Sequence, residues 1–453
     1  MADSPSKRTL ISVDYWVHVR STMAADPTPT HTASDSPSPV GLGHSLGFPG
    51  FRNLFSSSAA STFGAAVSIV AVSWIVYHYT QSPLDVAYLG LVEIGPGIFL
   101  GLLAGVIADR YNRRTLMVTA DLTRMAGMGI LAAALYLLGF SLLLVFAVMI
   151  VVESFSALFT PASQAILPRL IDQASLEDAN GLLYSSGGAA RSIGSAVGGV
   201  VVALLGAVWG LGINSITYAL SAVFIFQIAG ELGSVRRDPT APRTSFRQDF
   251  SEGMGFVLGN RTLTEVAFGY LPSNFLSAFV NPFFVVYASV RFGDSAAAFG
   301  YLAGALALGS AAGGLIIGRF STRRRAGWIM GISLLLQAGL FAVLAVSFNL
   351  EVSILAALAS GLTIGIGNTI YYSVMQSSVP SHVLGRVLSI GDFGSFIAIP
   401  AGLVVGGLLI AWYGVGTTFL IAAIGVFVTA AVLLSLRDFR AFGKHPLSPS
   451  IAK

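Results

Sequence analysis

From Phe51 onward the chain alternates long apolar runs with short polar breaks, and twelve of the runs reach the length needed to cross a membrane. Their approximate limits are 54–79, 84–108, 114–138, 141–167, 178–205, 208–230, 262–289, 294–318, 326–347, 352–378, 384–410 and 416–436. A spanning helix needs about 20 predominantly apolar residues. Within these runs polar residues do not recur at every second position, as lipid-facing barrel strands require. An unpaired backbone group in lipid costs several kcal/mol, so the runs are predicted to be helices.

Two stretches depart from the pattern. Residues 1–50 include "AADPTPTHTASDSPSPVG", rich in Pro, Ser and Thr and without hydrophobic period, and read as a disordered cytoplasmic tail. The earlier "LISVDYWVHV" is too short and interrupted for a signal-peptide core, and Met23 is an alternative start to Met1. The second departure, residues 231–261, divides the runs six and six. It carries Arg236, Arg237, Arg243 and Arg247, then Phe246, Phe250, Met254 and Val257 at three- to four-residue steps. That spacing predicts a short amphipathic helix at the membrane surface, linking bundles at 51–230 and 262–437. Residues 438–453 form a C-terminal cytoplasmic tail.

The halves repeat one another. Gly105 and Gly314 open corresponding loops, "QAILP" from Gln164 matches "QSSVP" from Gln376, and Gly198-Gly199 matches Gly406-Gly407, at offsets of 209, 212 and 208 residues. Parallel repeats of this kind occur in transporters that bind substrate near mid-membrane between the halves.

Composition strengthens the membrane reading. Only 10% of the 453 residues are charged and 54% are hydrophobic, whereas soluble domains carry about a quarter charged residues. Placing both termini in the cytoplasm puts 22 of the 25 basic residues on that side; Arg124 and Arg191 fall inside helices and Arg291 in an outer loop. This is a positive-inside pattern, so the basic pI reports topology in a cell membrane and not a nucleic-acid partner. Cysteine is absent, which excludes disulfides. The six histidines show no metal-ligand spacing. No Gly-rich phosphate loop with its lysine occurs, so neither an enzyme nor a cofactor site is expected.

"GVIADRYNRRTLM", from Gly105, resembles the loop between the second and third helices of the major facilitator superfamily. "SALFTPASQAILPRLI", "LEDANGLLYSSGGAARSIGSAVGG" and "GRVLSIGDFG" are similar to its enterobactin-exporter and multidrug-efflux branch. The resemblance covers about residues 51–440 and implies an all-α membrane protein, twelve transmembrane helices in two six-helix bundles. It further implies that Asp109, with Gly105, Arg110, Arg113 and Arg114, forms a cytoplasmic gating latch against the start of the eleventh helix. Asn112 stands where many members have glycine, and Gly318 replaces the aspartate in the second copy of the loop, so the latch is expected to be one-sided. Gly194-Ser195 replaces the glycine-proline pair that antiporters often carry in the fifth helix.

Ionisable residues inside a membrane are costly and mark functional candidates. Counting rise along the helices places Glu93, Glu153, Arg191 and Asp392 near the midplane, as proton-coupling or substrate candidates. Glu153 and Arg191, at similar depth, could alternatively pair with each other. Asp121 and Arg124, three residues apart, are expected to form a local ion pair. Further cavity candidates are Asn274, Phe275, Phe279 and Asn281 on the seventh run and Asn368, Tyr371 and Tyr372 on the tenth. Pro282 is expected to loosen the seventh helix. The expected function is proton-coupled export of a hydrophobic or amphipathic small molecule, a drug or siderophore, by a monomer embedded in the lipid bilayer. An uptake permease, a lysophospholipid transporter and a ligand sensor without turnover are the alternatives.

Overall fold

The computed structural model describes residues 43–228, 246–320, 323–379 and 381–444; within them, side chains at 101–106, 108–110, 177, 246–250, 252, 323, 381, 382, 385, 389, 392, 393 and 396 lie outside the description. Most of the expected N-terminal tail, the arginine cluster 236–243 of the linker and residues 445–453 therefore fall outside the described residues.

The N-terminal half is built from α1 (Pro49–Thr80), α2 (Pro83–Arg110), α3 (Arg113–Leu137), α4 (Leu142–Ile166), α5 (Leu176–Leu205) and α6 (Ala207–Phe226). Helix α7 (Phe246–Leu258) belongs to the linker. The C-terminal half comprises α8 (Arg261–Gly269), α9 (Leu271–Ser277), α10 (Phe284–Phe292), α11 (Ala296–Gly318), α12 (Ala326–Val346), α13 (Leu350–Ser378), α14 (Ser381–Ser435) and α15 (Arg437–Arg440). Among the described residues, eleven helical stretches are long and apolar enough to cross a membrane. The last of them turns back at Gly414, whose φ of 79° and ψ of 164° are non-helical. That left-handed φ suits glycine, which has no Cβ to clash. The limbs 381–413 and 415–435 therefore cross separately, giving the twelve helices expected.

Short polar residues start several of the spans. Ser82 accepts from the Asp85 backbone N–H, Asn112 from Thr115, Ser141 from Leu144, Ser295 from Ala298 and Asn349 from Val352. Each satisfies an otherwise orphaned donor of the first turn. Packing between spans uses backbone contact where glycine permits it. A Cβ on Gly309 would lie 2.0 Å from the Leu358 carbonyl oxygen, and one on Gly365 2.0 Å from that of Ser310, so α11 and α13 meet backbone to backbone.

Two expectations are corrected. The seventh run, predicted as one helix over 262–289, is divided into α8, α9, a 3-10 turn at Asn281–Phe283 and α10. Pro282 offers no N–H to the Ala278 carbonyl, and the Phe283 N–H instead reaches Val280 at 3.1 Å. The linker helix α7 does not rest on the membrane alone: Phe256 and Val257 are buried, and Gly253 packs against Arg386 and Ile390 of α14.

The halves touch at the end remote from the basic loops. There a Cβ on Gly199 of α5 would stand 2.2 Å from the Cα of Gly300 of α11, Gly304 packs on Ala196, and Gly407 of α14 packs on Ala87 and Pro83 of α2. His78, at the end of α1, binds Asp294 at 2.8 Å, and Ser289 donates to the other oxygen of that carboxylate at 2.6 Å.

Candidate functional site

Charge in the N-terminal half is organised around Arg124, which is 5% exposed. Its guanidinium binds Asp121 one turn earlier on α3, as the i, i+3 spacing predicts. Asp121 also accepts from Ser221 of α6 at 2.6 Å, and Ser221 contacts Ser57 of α1 at 2.7 Å. The Arg124 cation lies 4.5 Å from the ring centroids of both Phe159 and Tyr218. Hydrogen bonds and two aromatic faces thus hold this charge in place.

Glu153, on α4, lines a cavity together with Arg124, and Glu93 lies on α2. One carboxylate oxygen of Glu93, Oε1, is buried without a hydrogen-bond partner. The pairing of Glu153 with Arg191 does not form: no ion pair joins them, although both line a cavity of about 490 Å³ inside the N-terminal half. Whether two such residues pair depends on helix rotation, which chain spacing does not reveal. Asp392 sits on α14, but its side chain lies outside the described residues.

The same holds for the side chains of Asp109 and Arg110 and for the surroundings of Gly105, whose backbones close α2. Their neighbours are described. Arg113 is buried and donates to the Ala165 carbonyl at 3.1 Å, near the end of α4. Arg114 donates to the Phe226 carbonyl at the end of α6, with its cation 4.8 Å from that ring centroid. Both arginines therefore sit on helix C-termini, where the aligned peptide dipoles favour positive charge. These contacts stay within the N-terminal half.

Breaking the seventh span opens a cavity of about 250 Å³ in the C-terminal half, lined by Asn274, Asn281 and Asn368 among others. Asn274 donates to Ser395 at 2.8 Å, while Oδ1 of Asn281 is buried without a partner. Tyr371 and Tyr372 line an adjoining cavity of about 100 Å³. Phe275 and Phe279, the other candidates on this run, meet ring to ring, edge to face at 5.0 Å; Phe279 is 2% exposed and packs on Gly406 of α14, while the Phe275 backbone packs on Gly402.

A cavity of about 710 Å³ lies between the halves. Its walls come from α1 (Ser58, Thr62), α5 (Gly181 to Arg191), α11 (Ala307 to Leu315) and α13 (Gly365 to Thr369). These segments lie toward the basic loops, whereas residues 196–199 of α5 and 300–304 of α11 are in contact. The halves are thus joined at one end and parted at the other. Tyr184, Ser58 and Thr62 were not singled out from the sequence, since hydroxyls and one aromatic at helical spacing look like packing. The His78–Asp294 contact joins residues 216 apart and leaves no local signal.

Fold and cavity together point to a multi-pass membrane protein with a path for a small molecule between its halves. The model of the transmembrane secretion effector family matches residues 45–450, and the chain belongs to that family of the major facilitator superfamily. Macrolide efflux protein A of Streptococcus pyogenes is 24% identical over 420 residues, covering 86% of this chain and 96% of that protein. Multidrug efflux pump Tap of Mycobacterium tuberculosis is 27% identical over 416 residues, covering 88% and 96%. Among solved structures, the fold is shared with a bacterial homologue of the human lysosomal transporter Spinster in an inward-facing, unoccupied conformation: TM-score 0.70, 15% identity, 91% of this chain and all of that one. The nucleoside transporter NupG gives a TM-score of 0.67 at 13% identity, covering 85% and 98%.

Proposed function

We propose that the protein exports hydrophobic or amphipathic small molecules across the cell membrane by alternating access, with proton entry as the driving reaction and both termini in the cytoplasm. The observation that carries this reading is the asymmetric contact between the halves: closed at the end without basic loops, parted around a cavity at the other. With the basic loops in the cytoplasm, this is the conformation that receives substrate from inside. The names of the two efflux relatives support export over uptake.

Proton coupling is assigned to Glu93 and Glu153, with Asp392 as a further candidate. The support is two acids near the midplane, one with an unpartnered buried oxygen. Ionisable side chains at this depth are costly and mark ion or proton pathways. The test uses liposomes holding the purified protein and an imposed pH gradient, with a panel of dye and macrolide substrates. Wild type should drive substrate against its gradient, and a protonophore should abolish this. Glu93→Gln and Glu153→Gln should keep downhill flux while losing at least tenfold of the uphill component. Retention of full uphill transport in both variants would remove the coupling role.

The Asp109 latch belongs to the opposite conformation. In the present one Arg113 and Arg114 reach carbonyls on α4 and α6, and in this reading Asp109 contacts the other half when the cytoplasmic side closes. Asp109→Asn should leave expression and thermal stability intact and lower transport several-fold. Wild-type rates in that variant would dismiss the latch.

A further inference from the structure

Several arginines in and at the ends of the spans are engaged. Arg124 binds Asp121, and Arg113 and Arg114 cap helix ends. Arg291 donates to the Ala345 carbonyl at 2.9 Å and lies 3.8 Å from the Phe348 ring centroid. Arg191 is different. It lies in the middle of α5, is exposed, and makes no ion pair or hydrogen bond with any described residue. It lines both the cavity between the halves and the adjoining one in the N-terminal half. Among the described residues lining the larger cavity it alone is charged. Glu153 and Arg124 share the smaller cavity with it, and no ion pair joins Glu153 to Arg191.

A solitary guanidinium at mid-membrane is costly and is retained where it faces a pathway and meets a partner there. Its planar array of donors matches the two oxygens of a carboxylate or phosphate. The surroundings fit the rest of an amphipathic molecule. Tyr184, two turns before Arg191 on the same face of α5, is 80% exposed, and Leu315 across the cavity is 61% exposed. The hydroxyls of Ser58 and Thr62 stand on α1 beside them.

Resting on the transport reading above, we propose that the substrates include anionic amphiphiles, whose carboxylate or phosphate-type headgroup is bound by Arg191 while the apolar body lies between Tyr184 and Leu315. The acid would bridge the halves from the N-terminal side. The positive charge makes the site discriminate against amphiphilic cations of the same size.

The test compares three fluorescent probes of matched chain length: 11-(dansylamino)undecanoic acid, its methyl ester, and the corresponding terminal amine. Binding is read by titration into the full-length protein in neutral phosphatidylcholine nanodiscs, with empty discs as baseline. The acid should bind at least tenfold tighter than the ester, and the amine weaker than both. In Arg191→Gln the acid and ester should bind within twofold of each other, and Arg191→Lys should keep part of the preference. Equal binding of acid and ester by wild type, no saturable binding of the acid, or a preference that survives in R191Q would overturn the assignment. The wild-type comparison of the three probes decides the question even if R191Q does not fold. Failure of the transport reading looks different: the acid would bind with its preference for Arg191 intact, yet neither acid nor ester would be moved by liposomes under a pH gradient.

Discussion

Arg124 and Arg191 differ by context and not by type. Both are cations in the depth of a bundle, but Arg124 is buried with a carboxylate, a serine network and two rings around it, whereas Arg191 is exposed to a cavity. Removing one partner of such a buried pair leaves an uncompensated charge and typically costs about 3–5 kcal/mol. Asp121→Leu should therefore lower the thermal unfolding midpoint of the purified protein sharply, and adding Arg124→Leu should restore most of it. A single variant as stable as wild type would show that the ring faces alone hold the cation. The Asp121–Arg124 pair could be read from the sequence because a three-residue spacing on a helix fixes the neighbour. That Glu153 and Arg191 line one cavity without pairing could not, because contact between helices depends on how each is rotated about its axis.

At the level of elements, hydrophobic run length was enough to place the helices, since lipid allows few other solutions. The pattern of apolar residues carries no sign of where a span is broken. It misread the seventh run, in which Pro282 and the residues before it trade helical bonds for tighter turns around Asn281. The glycines of α5 and α11 were visible as a small-residue pattern, but their partners were not. Gly199 and Gly300 turn out to face one another across the halves, so close that any side chain there meets backbone. Gly199→Ala should prevent this end from closing. In liposomes it should cut transport at least fivefold while leaving the protein folded and monodisperse. A fluorescent maleimide on a cysteine introduced beside the interface, for example at Ala303, should then react faster than in the parent. Unchanged transport and labelling would mean that α5 and α11 can slide to accommodate the methyl group.

For the whole molecule, alternating access requires that the contacts at the remote end break in every cycle. His78 and Asp294 are the exposed members of that contact, 45% and 39% accessible, and they tie α1 to the turn before α11. The native chain has no cysteine, so thiols introduced there are unique in the protein. In His78→Cys/Asp294→Cys, a short membrane-impermeant bis-methanethiosulfonate reagent applied from outside intact cells should join the halves in the conformation described here. Export should stop on cross-linking and return after dithiothreitol, while each single variant treated alike continues to export. A longer, flexible reagent should leave part of the activity, because it lets the remote end open. Reaction from the outside also tests the orientation argued from the arginines: labelling only in inverted vesicles would place the basic loops on the opposite side and reverse the direction proposed. Full export with the short bridge in place would mean that substrate passes without separation of the halves at this end, and a rocking mechanism about a central cavity would have to be abandoned.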